Sequence, residues 1–170
     1  MPQRPALAVI TASTRDGRFG PVVADWFSAR AEEHGAFAVR RVDLADPALD
    51  FPAAVDSADA FAVVTPEYNH GYPGPLKEAV DSVHTGWIAK PVGFVSYGGL
   101  SGGLRAVEQL RVVFAELHAV TVRDTVSFHG AHVQFREGRA QDADPAAKKL
   151  LTTLHWWASA LVPVRGSYPA

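Results

Sequence analysis

The sequence predicts an α/β protein, a doubly wound sheet of about five parallel strands in the order 2-1-3-4-5 with helices on both faces. Three observations carry this expectation. Short apolar runs that read as buried strands alternate along the chain with segments of helical spacing. The 170 residues, 48% hydrophobic and 20% charged, suit one domain with its own core, so a single domain over residues 1–170 is expected. The stretches leaving the first, third and fourth runs carry ligand-like chemistry, and in such a sheet they converge at the crevice between the first and third strands.

Residues 6–10 (Ala-Leu-Ala-Val-Ile) read as the first strand. Residues 22–33 read as a helix with Val22, Val23, Trp26 and Phe27 at helical spacing, and Pro21 fits its first turn, where a missing N–H is no loss. Partial alternation at Phe37, Val39, Val42 and Leu44 marks a second strand, and the prolines and aspartates of 46–53 mark a loop. Residues 58–64 form the third apolar run, 76–83 a short helix, and 91–96 a fourth strand buried on both faces. Leu104, Val107, Leu110, Phe114 and Leu117 then recur at three- and four-residue steps, the stripe of a core-packed helix. Residues 119–126 read as the last strand, and 128–144 as a long polar loop bearing histidines. Residues 146–161 close the chain as a helix with Leu150, Leu154, Trp157 and Leu161 on one face and Trp156 beside it, exposed or against another subunit.

Composition removes several function classes. A net charge of −2 offers no basic stripe for nucleic acid. Without cysteine there are no disulfides, thiolate zinc sites or cysteine nucleophiles, so any redox chemistry must belong to a cofactor. The apolar run at 6–10 is too short for a secretory signal, and no segment approaches the ~20 apolar residues of a membrane span, so a cytoplasmic protein that binds neither membrane nor nucleic acid is expected. His129 and His132 lie three residues apart, but with no acid placed beside them they read as solvated loop histidines rather than a zinc pair. The chain shows no catalytic triad and no convincing pair of catalytic acids.

Two loops carry the chemistry. Thr11-Ala12-Ser13-Thr14-Arg15-Asp16-Gly17-Arg18-Phe19-Gly20-Pro21 opens into a helix, which reads either as an anion site, with free N–H groups and the positive dipole end pointing the same way, or as a plain capped helix start with two solvated arginines. Ser13 and Thr14 add hydroxyls, and Arg15 and Arg18 add charge. It is neither a Walker loop nor a G-x-G-x-x-G fingerprint, which disfavours ATP and a dinucleotide bound in the Rossmann manner. Residues 65–77 hold prolines, glycines and tyrosines at the density of a rigid, aromatic-lined loop suited to a flat ligand. A third stretch, Tyr97-Gly98-Gly99-Leu100-Ser101-Gly102-Gly103, lets the backbone pass close to a ligand or turn sharply.

Pro66-Glu67-Tyr68-Asn69, followed by Pro73-Gly74 and Leu76-Lys77, resembles the P-E-Y-N-x(3)-P-G-x-L-K signature of the NAD(P)H-dependent FMN reductase family, flavin, quinone, azo-dye and chromate reductases on a flavodoxin-like fold. The first loop is similar to that family's G-S-x-R-x-x-S-x-N phosphate loop. Ser13 and Arg15 match it, Ala12 stands where glycine is usual, and Arg18 and Gly20 stand where many members carry serine and asparagine.

The resemblance implies FMN as cofactor, with its phosphate at Ser13, Arg15, Arg18, Gly20, Pro21 and Val22. The isoalloxazine edge would lie on Pro66, Glu67, Tyr68 and Asn69, and its other side on Ser96, Tyr97, Gly98 and Gly99. It implies NADPH or NADH as co-substrate, hydride transfer to the flavin in a ping-pong cycle, a small-molecule electron acceptor, and a homodimer or homotetramer. No protein residue is expected to be catalytic and no metal is implied, and Glu67 is expected to serve a loop or subunit contact rather than acid catalysis. An electron carrier without NAD(P)H oxidation is the alternative, disfavoured by the near-neutral charge, since such carriers tend to be strongly acidic. A flavin-free interaction protein is a third reading, set against the intact P-E-Y-N loop.

Overall fold

In the computed structural model, which describes residues 4–169, five strands form one parallel sheet. They are β1 (Ala6–Thr11), β2 (Ala38–Asp43), β3 (Ala60–Pro66), β4 (Pro91–Gly98) and β5 (Val120–His129), in the order β2-β1-β3-β4-β5. This is the expected doubly wound order. Every residue of β1 and β3 is buried, as is β4 up to its last residue, which is why these three read as unbroken apolar runs. The edge strands β2 and β5 mix buried and exposed positions.

Among the described residues six α-helices cover the two faces: α1 (Gly20–His34), α2 (Phe51–Asp56), α3 (Gly74–Asp81), α4 (Leu104–Glu116), α5 (Ala131–Arg136) and α6 (Asp144–Leu161). Val23 and Phe27 of α1 join Leu150 and Leu154 of α6 in the core on one face. Val55, Leu76, Leu110 and Phe114, from α2, α3 and α4, pack with Phe61 and Trp87 on the other. Trp87 is fully buried, and its indole N–H donates to Val80 O at 3.3 Å.

The expected elements shift in four places. Residues 46–53, read as a loop, contain the start of α2, which Pro52 opens and the Asp50 side chain caps by accepting the Ala53 N–H at 3.1 Å. β5 continues to His129, and the segment read as a long loop folds into α5 and a 3₁₀ turn at Ala140–Ala143, anchored by buried Ala131 and by Phe135 against Phe128. Val22 falls outside the buried stripe of α1 and is exposed. On α6 the covered positions are Leu150, Leu151, Leu154 and Ala158 rather than Leu161, and Trp156 is 62% exposed.

At the amino end of the sheet, Lys90 is buried and its ammonium donates to Val55 O at 2.8 Å and Asp56 O at 3.2 Å, the last carbonyls of α2. Burial, aided by the Arg165 charge, pulls this amine down to about 8, with Asp56 and Asp59 opposing. The folded state therefore binds this proton less tightly than the unfolded chain, where the value is about 10.4. The cost of burying the charge is full below about pH 8 and disappears as pH climbs toward the unfolded value. Thermal melts should accordingly show the midpoint rising from about pH 7.5 to about pH 9.5, and Lys90→Met should remove that rise. A Met variant with the wild-type slope would dissociate Lys90 from the effect.

Candidate functional site

The strand register brings three loops level at the carboxyl end of the sheet, with Pro66 beside Tyr97 and Gly98 beside His129. Between these loops and α5 lies a cavity of about 410 Å³.

The first loop is open to an anion. Among the described residues, no main-chain N–H from Ser13 to Gly20 is donated to a protein acceptor, whereas Ala12 N–H still bonds Val64 O at 3.0 Å. Consecutive unpaired N–H groups running into a helix start are an unfilled demand for acceptors. Arg18 braces the loop from behind. Its guanidinium donates to Ser13 O at 2.7 Å and to both Asp43 oxygens at 2.5 and 2.8 Å, tying the loop to the end of β2. The Arg18 hydrogen bond, opposed by burial, holds the Asp43 carboxyl below the usual carboxylate range. Arg15 is exposed, forms no ion pair among the described residues, and lies 4.0 Å above the Tyr68 ring.

Gly20 is required by its neighbours. A Cβ there would lie 2.2 Å from Ser13 Oγ and 3.0 Å from both Thr11 Cγ2 and Tyr97 Oη. The Ser13 and Tyr97 hydroxyls both lie beside this glycine, buried and without a hydrogen-bond partner. Burial pushes the Tyr97 phenol up to about 12.

The second loop is a tight turn. Tyr68 N–H donates to Gly71 O at 2.8 Å and Gly71 N–H returns to Tyr68 O at 3.1 Å, with Asn69 and His70 both at positive φ (50° and 71°). The N–H groups of Glu67 and Asn69 have no protein acceptor among the described residues. The Glu67 side chain, only 5% exposed, accepts from Ser101 Oγ at 2.7 Å, from Arg105 Nε at 2.6 Å and from the Arg105 N–H at 3.2 Å. Burial pushes this carboxyl up, but the bonds from Ser101 and Arg105 outweigh it and hold it below its ordinary value. Glu67 therefore latches the second loop to the third.

Of the residues singled out in the sequence, Arg15, Arg18, Pro66, Glu67, Tyr68, Tyr97, Gly98 and Gly99 border the cavity. The others stand back from it. Ser13 is turned under Gly20, and Ser96 donates its hydroxyl to Gly102 O at 2.7 Å, which fixes the third loop from below. Pro21 has no N–H to offer, the Val22 N–H is already donated to Phe19 O at 3.1 Å, and Asn69 sits at the exposed tip of its turn. The sequence reading missed Phe19 and the Gly130–Val133 wall. Phe19 packs on His132 (4.2 Å between centroids) and edge-on to Phe135, so α5 closes the side of the cavity. The glycine directly after β5 is the one local signal of that wall. Among the described residues no group of three or more His, Asp or Glu side chains is arranged to hold a metal ion.

Residues 5–133, which contain all three loops, match the family described as NADPH-dependent FMN reductase. The chain belongs to that family. An NAD(P)H-dependent FMN reductase of Schizosaccharomyces pombe is 35% identical over 121 residues, 58% of this chain and 60% of that protein, so the match spans less than two thirds of the relative. In fold, an NADH:FMN oxidoreductase in its apo form aligns with a TM-score of 0.72 at 20% identity, over 92% of this chain and 90% of its own. A flavodoxin from Pseudomonas aeruginosa aligns at 0.63 and 21% identity, over 92% of this chain and 99% of its own. The FMN reductase match ends at Val133, inside α5, so α6 and the tail that follows it lie outside the matched region.

Proposed function

We propose that this chain is a single-domain, FMN-dependent NAD(P)H oxidoreductase that delivers electrons to a small acceptor such as a flavin or quinone. The observation that carries the reading is the run of unpaired N–H groups from Ser13 to Gly20, with Arg15 free beside it. These groups fit the dianionic phosphate of FMN, which would supply the acceptors the loop lacks. The Arg18–Asp43 brace keeps the loop in shape in advance of binding, which lowers the entropy lost when the cofactor docks. The free N–H group of Glu67 suits the polar edge of the isoalloxazine, and the Tyr68 and Tyr97 rings its apolar surface.

The chemistry FMN supplies is hydride acceptance from NAD(P)H followed, once the nicotinamide has left, by electron delivery to the acceptor, a ping-pong order. The chain's own part is binding, orientation and charge. Glu67 is held ionised in its ion pair, so it is unsuited to donating a proton. Leu100 (96% exposed), next to Gly99 on the third loop, and Val133 (39%), on the cavity wall, present apolar side chains to solvent, and a second copy of the chain covering them would make the homodimer. A cytoplasmic setting, where NAD(P)H is made, suits the reaction.

Absorption spectroscopy tests the reading. The purified protein titrated with FMN should show a bound oxidised-flavin spectrum that bleaches on anaerobic NADPH or NADH. Binding without bleaching would favour an electron carrier, and no binding would overturn the proposal.

A further inference from the structure

The third loop is anchored in an uneven way. Gly130 N–H donates to both Gly98 O (2.9 Å) and Gly99 O (3.0 Å). The His129 ring meets the next carbonyl, Leu100 O, at 2.9 Å through Nδ1. A carbonyl only accepts, so Nδ1 carries the proton and the Nε2 side faces the Ser127 hydroxyl at 3.3 Å. Successive carbonyls from Gly98 to Leu100 are thus all drawn to the end of β5.

The described residues contain no cis peptide, and in a trans peptide unit the C=O and N–H point in opposite directions. Pulling the carbonyls of Gly98, Gly99 and Leu100 toward β5 therefore turns the N–H groups of Gly99, Leu100 and Ser101 the other way. None of these three has a protein acceptor among the described residues. Gly98 and Gly99 border the cavity, and no atom lies within 4 Å of the place a Gly99 Cβ would take. Grouped N–H dipoles of this kind form a nest that favours negative charge.

We infer that His129 is a positioning residue for the cofactor's redox state. By holding the Leu100 carbonyl it aims the Ser101 N–H, and with it the nest, at the ring of a bound flavin. This rests on the FMN reading above. A nest made of dipoles stabilises the ring more when reduction has made it anionic than when it is neutral, so His129 acts on the difference between the two affinities. Removing an anchor should loosen reduced FMN more than oxidised FMN.

The experiment compares wild type with His129→Phe, which keeps a ring and removes both nitrogens, and His129→Gln, whose amide can still donate to a carbonyl. FMN affinity is measured by fluorescence titration, and the midpoint potential of the bound cofactor by anaerobic dye-coupled reduction. With Phe, the ratio of reduced-FMN to oxidised-FMN affinity should fall about tenfold, seen as a more negative potential, the effect expected from weakening a bond to a charged group. Gln should recover most of it. An unchanged ratio in His129→Phe, or an equal loss in both variants, would overturn the role of the donated hydrogen bond. Should the Phe variant not fold, His129→Ala is read in its place by the same criteria. Failure of wild type to bind FMN would instead remove the functional reading on which the inference stands.

Discussion

Gly20→Ala should destabilise the protein by about 1–3 kcal/mol and weaken FMN binding about tenfold or more. Ordinarily the opposite sign is expected, since alanine in a helix is favoured over glycine by roughly 0.5–1 kcal/mol and Gly20 opens α1. Here the new Cβ would sit 2.2 Å from Ser13 Oγ, on a fully buried side chain, with Thr11 Cγ2 and Tyr97 Oη at 3.0 Å closing the alternatives. Ser13 or the start of α1 must move, and either motion disturbs the N–H groups proposed to hold the phosphate. Urea unfolding and FMN titration read the two effects separately. Adding Ser13→Ala should return part of the lost stability, because it removes the closest clash and leaves the two at 3.0 Å. A single mutant as stable as wild type would show that the crowding over Gly20 relaxes freely and that Gly20 is not needed for packing.

How much of this was legible in the sequence depends on whether the signal was local. β1, β3 and β4 were legible because burial on both faces leaves an unbroken apolar run. The loop at 65–77 was legible because its prolines fix φ by themselves and its glycines break any regular element. α2 and α5 were not, since six residues are too few for helical periodicity to declare itself. The Arg18–Asp43 brace joins residues 25 apart, and nothing in either segment states that β2 will end beside the first loop. For the same reason Arg18 looked like a second phosphate ligand beside Arg15 when its charge is already engaged. Ser96 shows the other limit: its place at the end of a strand was legible, but the direction of its hydroxyl follows from where Gly102 O comes to rest. Glu67 was legible as a loop contact, though its partners Ser101 and Arg105 lie 34 and 38 residues away.

That contact sets the second large effect. Glu67→Ala should cost about 2 kcal/mol, the range for hydrogen bonds to a charged group. The loss is limited because Arg105, 47% exposed, can return to water rather than remain buried and unpaired. The pH dependence has a defined sign. Glu67 is held below its ordinary value when folded, so its contribution is complete above the unfolded value of about 4.3 and is lost as pH falls through the lower folded value. Acid unfolding of Glu67→Gln should lack this loss, and a double-mutant cycle with Arg105→Ala should show coupling above about 0.5 kcal/mol. Additive single mutants would mean that the two loops are not latched through this pair. The two ends of the cofactor then separate by ligand: riboflavin has the ring but no phosphate. Glu67→Ala, which frees the loops that flank the ring, should weaken riboflavin and FMN by similar factors. Gly20→Ala, which disturbs the first loop, should weaken FMN and spare riboflavin. Parallel losses of both ligands in both variants would mean that the crevice responds as one body and that phosphate and ring recognition are not divided between its loops.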